Sequence, residues 1–224
     1  MSFYNFDEDL PSKVFDDSEI MNQSANFGWQ DKNAVLYGLR EGYKNSADDL
    51  VEIVLSNPDN IKKLDTYFFP IMFSYRHSLE LALKHIYLRA TGNLPKGGHN
   101  LLTLWDKVKE EIIDGMLDSK EFIKSVRSYK PNLLLFSHEN LNFGNFRSLL
   151  VELQRANQLS EEIRNNNSQL DQNADVWRYL ISTDNQLYFK CSHSVDYINL
   201  RKTMDYMYSI LDYIYDRVSD YLSS

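Results

Sequence analysis

A single cysteine, Cys191, stands in the 224 residues, so no disulfide can form within the chain. A reducing, cytoplasmic setting is the matching expectation. Long apolar runs are also missing. The best of them, residues 67–73 and 133–136, fall far short of the roughly 20 residues a membrane helix needs, so no membrane partner is expected. Residues 1–10 carry neither a basic start nor an apolar stretch, which speaks against a secretory leader. Positive charge is in deficit: 24 Lys and Arg stand against 32 acidic residues, a formal −8 with a pI of about 5.1. That balance argues against a wholly basic nucleic-acid binder. At 43% hydrophobic and 25% charged, the chain reads as an ordinary globular one, long enough for one domain with an appendage.

The acid is unevenly spread. Residues 1–31 hold seven acidic side chains against Lys13 alone, a balance of −6, so the remainder carries only −2 of the total −8. This segment lacks helical periodicity, yet Phe3, Tyr4, Phe6, Phe15, Phe27 and Trp29 are scattered among its charges. It reads as an acidic N-terminal arm whose aromatics dock on the body or on a protein partner, with residues 32–224 as the helical domain.

From Asn33 the pattern is helical. Leu36, Leu39, Tyr43, Ala47, Leu50 and Val54 recur at gaps of three or four and predict the buried face of a first helix. Pro58 separates it from a second helix, which Thr91-Gly92-Asn93 ends. Residues 67–88 are apolar almost all round and predict the central helix, with a kink or a helix start near Pro70. Asn100 is placed to cap a third helix bearing Leu101, Leu104, Trp105, Val108 and Ile112. The Ser119-centred run 118–121 predicts a capping box and a short helix, and 145–165 predicts an amphipathic helix burying Phe146, Leu149, Leu153 and Ile163. Residues 176–181 and 186–191 are β-prone and predict a small hairpin. The last helix, from about Val195, carries Tyr197, Leu200, Met204, Met207, Leu211, Ile214, Val218 and Tyr221 at heptad spacing, with Tyr208, Tyr215 and Leu222 as a second line. The fold class expected is all-α: a helical bundle with a small β-hairpin before the C-terminal helix.

The densest polar cluster lies inside the most apolar helix: Arg76, His77, Glu80 and Lys84. With Arg76 at zero, Glu80 falls near about 40°, Lys84 near about 80° and His77 near about 100°, so all four share a face. Charges on a buried helix must be paired. The spacing therefore supports first an ion-pair ladder, and second an anion pocket in which His77 moves protons. Lys96-Gly97-Gly98-His99-Asn100 is a second candidate, either a weak anion cradle or a tight turn into the third helix with His99 bonded to that turn. Metal chemistry finds no support: no histidine has a glutamate three residues before it, and His138-Glu139 lacks a second histidine at zincin spacing. No hydrolase elbow or dinucleotide fingerprint occurs, so neither metal nor cofactor is expected.

The runs 76–84, 98–101 and 104–105 (Arg-His-Ser-Leu-Glu-Leu-Ala-Leu-Lys, Gly-His-Asn-Leu and Leu-Trp) resemble bacterial proteins of the HEPN superfamily. The segment around Trp177, Arg178 and Tyr179 before Asp184 is similar to that group's aromatic-Arg-Tyr stretch. The resemblance implies a helical bundle, often dimeric, from defence or toxin–antitoxin settings. Ribonucleases of that superfamily place an Arg four to six intervening residues before a His, and no histidine here has an Arg at that spacing. Two readings follow. One is a non-catalytic interaction module that pairs with a second copy and binds a protein, RNA or nucleotide-containing partner. The other is a metal-independent ribonuclease built from Arg76, His77 and His99.

Overall fold

The computed structural model describes residues 25, 27–28, 30–117, 143–154, 175–181, 184–189 and 192–223. Contacts divide the chain into Met1–Asp31 and Lys32–Ser224, and the helices among the described residues lie in the second unit. They are α1 (Lys32–Leu55), α2 (Ile61–Thr91), α3 (Leu101–Lys107), α4 (Phe143–Gln154), the single turn α5 (Val176–Tyr179) and α6 (Tyr197–Ser223). Among the described residues there is no strand, and the class is all-α. The capping box at 118–121 and the residues beyond 154 of the predicted fourth long helix lie outside the described residues.

Local chemistry sets the helix ends. Asn60 Oδ1 accepts from Lys63 N–H at 3.1 Å and Asn100 Oδ1 from Thr103 N–H at 2.9 Å. Asp196 Oδ1 accepts from Ile198 N–H at 2.8 Å at the head of α6. Each cap is worth about 1 kcal/mol. Gly92 closes α2 in the left-handed region, φ 73°, returning its N–H to Leu88 O at 2.8 Å. A side chain there would be strained, which is why the helix stops at a glycine.

Helix α2 is central, with α1 and α6 packed along it, and from Ile71 to Leu88 most of its side chains are buried. It runs through Pro70 without a new start there. Pro70 and Thr66 are both exposed, so the Thr66 carbonyl that loses its helical donor faces water. The α6 seam is buried from Tyr197 to Val218, while Tyr221 and Leu222 are exposed in its last turn. Tyr206, Ile210 and Tyr213 are buried beside the seam, so the contact is broader than one stripe.

Two faces differ from the expectation. On α1, Leu39 is 44% exposed, and the buried positions are Arg40, Lys44, Ala47, Val51 and Val54. The hydrophobic stripe drifts toward these cations because acids on α1 and α6 pair them inside. The predicted hairpin is not formed. Residues 176–179 make a helical turn, and only an isolated antiparallel bridge joins Ile181 to Leu187. Val176 and Trp177 are adjacent and both buried, which a strand of a small hairpin with one face in water would not give. Trp177 meets Phe68 edge-on at 5.5 Å and Phe189 at 5.5 Å, so packing on α2 decides the turn against β propensity.

Helix α3 passes directly into a π-helical stretch, Val108–Asp114, with Val108, Ile112 and Ile113 all buried. Gly115 follows it. A Cβ at that position would stand 2.8 Å from the Glu111 carbonyl oxygen. Gly115→Ala is therefore expected to force the π turn apart and cost about 1–3 kcal/mol, read as a lower thermal midpoint with native far-UV dichroism. Trp105 of α3 lies 4.5 Å from Phe146 of α4, which ties these two helices together.

Candidate functional site

Glu80 is the centre of the polar cluster. It is fully buried, and its oxygens are shared among cations arriving from two directions. From its own helix, Arg76 Nη1 donates to Oε2 at 3.2 Å and Lys84 Nζ to Oε1 at 2.8 Å. From the loop after α2, His99 Nδ1 lies 2.9 Å from Oε1. A carboxylate only accepts, so that contact places the imidazole proton on Nδ1. His77 Nδ1 is 3.8 Å from Oε2, the longest of the four contacts.

Arg76 performs a second task. It is 1% exposed, and its Nη2 donates to the His99 carbonyl at 2.6 Å. Arg76 and Glu80 together therefore grip His99 by backbone and ring, clamping the glycine turn to the central helix. Gly98 has φ 60°, a left-handed conformation that glycine adopts without strain, and Asn100 N–H returns to Gly97 O at 3.3 Å. The tight turn expected of 96–100 is present, but His99 bonds Glu80 and not the turn itself.

Burial pushes the Glu80 carboxyl upward, but His77, Lys84 and Arg76 outweigh it and hold the group well below the usual carboxylate range. The site thus contains one ionised carboxylate facing two fixed cations, a formal excess of one positive charge. Access is unequal. Arg76 and Glu80 are sealed, Lys84 and His77 are part-buried, and the His99 side chain is 49% exposed. The His77 ring is held on two sides, stacked on Phe73 at 5.6 Å and edge-on to Tyr43 at 4.6 Å.

The structure therefore brings Arg76, Glu80, Lys84 and His99 into one network, with His77 at its margin. It places the other candidates elsewhere. Trp177 is buried against Phe68, which precedes Glu80 by twelve residues, about 18 Å along a helix. Arg178 lies over the Tyr179 ring at 5.0 Å and donates to its hydroxyl at 2.9 Å, both side chains at the surface. Among the described residues no group of three or more His, Cys, Asp or Glu side chains is placed to hold a metal ion.

A second network was not singled out by the sequence reading. Lys44 Nζ donates to Asp48 Oδ2 and Asp205 Oδ1, both at 2.6 Å, and Tyr75 donates to Asp48 Oδ1 at 2.7 Å. Arg201 Nη1 reaches Glu52 at 2.8 Å, and Arg40 Nη2 reaches Asp212 at 2.8 Å. Burial works against the Lys44 charge, yet the two aspartates raise its pKa above the ordinary lysine value. Burial and Asp48 push the Tyr75 phenol far up. The available signal was the i, i+4 run Arg40, Lys44, Asp48 facing Asp205 and Asp212 one heptad apart. These residues join α1 and α2 to α6 around a polar seam.

Comparison with protein families, curated proteins and solved structures returns no match. The functional reading therefore rests on the two networks and on the surface around them.

Proposed function

We infer that this domain is a non-catalytic interaction module that associates with itself and recognises a protein or nucleotide-containing partner. The observation that carries the reading is that Arg76 and the His99 ring are already engaged by Glu80, and Arg76 by the His99 carbonyl as well. A ribonuclease needs an imidazole ready to move a proton and a cation facing the phosphate. Arg76 is sealed against Glu80 and the His99 carbonyl. His99 uses Nδ1 on the same carboxylate, and His77 is wedged between aromatic rings. The cluster is suited to holding the 96–100 turn in place. Incubation of the purified protein with total RNA tests this directly. The RNA is expected to stay intact, whereas cleavage that His77→Ala abolishes without unfolding would replace the module by the ribonuclease.

Self-association draws support from the outer face of α1. Val35, Leu39 and Ile53 are exposed there, and Gly38 and Gly42 leave open space where side chains would otherwise stand. Val35 and Leu39 lie one turn apart beside the two glycines, where a second helix could approach the backbone closely. Light scattering on the purified chain is expected to give twice the monomer mass. Leu39→Glu should return the monomer with an unchanged thermal midpoint extrapolated to low concentration, because Leu39 contributes little to the monomer core.

A further inference from the structure

His85 takes no part in either network, although it is 1% exposed. Neither Nδ1 nor Nε2 has a hydrogen-bond partner. The ring lies against Tyr215 of α6 at 4.3 Å, with Tyr37 of α1 at 6.5 Å. The charges around it are cationic. From α1 comes Arg40, itself buried and surrounded by the rings of Tyr37, Tyr208 and Tyr215 at 5.3, 5.7 and 5.4 Å. From α2 comes Arg89, whose Nε donates to Ser219 of α6 at 3.1 Å. The carboxylates on this side, Asp212 and Glu41, engage Arg40 at 2.8 and 3.4 Å, and Glu41 also accepts from the Tyr208 hydroxyl at 3.3 Å.

We propose that His85 is an acid-operated release for the C-terminal half of α6: protonating it displaces Tyr215 and the turns beyond from α2. A proton there creates an imidazolium with two N–H donors in a site that offers them no acceptor, between two guanidinium groups. Water must then enter, and the element that can yield is the end of α6. The first half of that helix is pinned by the Asp196 cap, by Tyr197 to the Leu64 carbonyl, by Arg201 to Glu52 and by Lys44 to Asp205. The second half is held by the Tyr215 ring on His85, by Arg89 to Ser219, by Arg40 to Asp212 and by the buried Tyr213, Ile214 and Val218, and its last turn is exposed.

The titration direction agrees. Burial, then Arg40 and Arg89, push the imidazole from 6.5 down to about 4. The open form therefore binds the proton more tightly, so the closed form is fully favoured above about pH 6.5 and loses its advantage as pH falls toward 4. The Glu80 carboxylate is protonated only at lower pH, so the two effects separate.

Amide hydrogen exchange on the full chain at pH 7 and pH 5, corrected for intrinsic rates, tests the release. Protection across 213–223 is expected to fall by about tenfold or more at pH 5, while 197–207 keeps its protection. His85→Phe, which retains a ring against Tyr215 but cannot titrate, should abolish the difference. An equal loss in that variant, or a uniform loss along α6, would overturn the proposal. Should the variant not fold, the imidazole titration of the wild-type protein followed by NMR decides: a midpoint near 6.5 overturns the release, and one well below it that tracks the loss of protection supports it.

Discussion

Glu80→Ala is expected to lower the thermal midpoint by about 10 °C, the equivalent of about 3–5 kcal/mol for a chain of this size. The figure does not come from three lost ion pairs. Lys84 and His99 both reach the surface and can rehydrate once the carboxylate is gone. Arg76 cannot, being 1% exposed and surrounded by the core of α2. The cost is thus that of one buried guanidinium left without its anion. Replacing both members, Arg76→Met with Glu80→Leu, should recover a large part of the loss, because a well-packed apolar pair avoids the desolvation altogether. It should not restore the grip on His99, so the 96–100 turn is expected to exchange its amides faster in the double variant than in the wild type. The pH dependence has a definite sign. The Glu80 pKa is lower in the folded chain, so its contribution is complete above about pH 4.5 and fades as pH falls further toward the folded value. The gap between wild type and Glu80→Ala should therefore be constant from pH 5 to 7 in a thermal melt and close only in stronger acid.

How far the molecule could be read from its sequence depended on the range of the interaction. The central position of α2 and the seam of α6 follow from local periodicity, and the caps at Asn60, Asn100 and Gly92 from neighbours three or four residues away. The pairs Arg76–Glu80 and Glu80–Lys84 were visible for the same reason. The reach of His99 across nineteen residues to the same carboxylate was not, since only the folded turn brings it there. The buried face of α1 keeps the predicted Ala47 and Val54 but is rotated to take in Arg40 and Lys44, which hydrophobic patterning assigns to solvent, and two of their acid partners, Asp212 and Asp205, lie more than 150 residues later. Residues 176–179 read as a strand because Val, Trp and Tyr favour strands in general, while here two consecutive side chains, Val176 and Trp177, are buried, Trp177 against Phe68. The π turn after α3 had little sequence signal beyond Gly115, whose need becomes apparent only beside the Glu111 carbonyl.

The same long-range pairing sets the effect of Lys44→Met, which should cost about 2–3 kcal/mol, at or below the lower end for a fully buried pair. Lys44 separates Asp48 from Asp205, and without it the two carboxylates face one another across the α1–α6 seam. Asp205 is about half exposed and can turn to water, but Asp48 is largely covered and must still accept from Tyr75. Adding Asp205→Asn to Lys44→Met should therefore return part of the lost stability, whereas Asp205→Asn alone should be mildly destabilising. A coupling energy of about 1 kcal/mol or more from that cycle in urea melts would identify the lysine as the link between the helices; additivity would show that each side chain acts alone. The alkaline side supplies an independent check. The Lys44 pKa is raised above 10.5 on folding, so its contribution is present below that pH and is lost as pH climbs through the folded value. Wild type and Lys44→Met should accordingly differ by a constant amount up to about pH 10 and converge above it. A gap that narrowed between pH 7 and 9 would mean that Lys44 is not held by its two aspartates in solution.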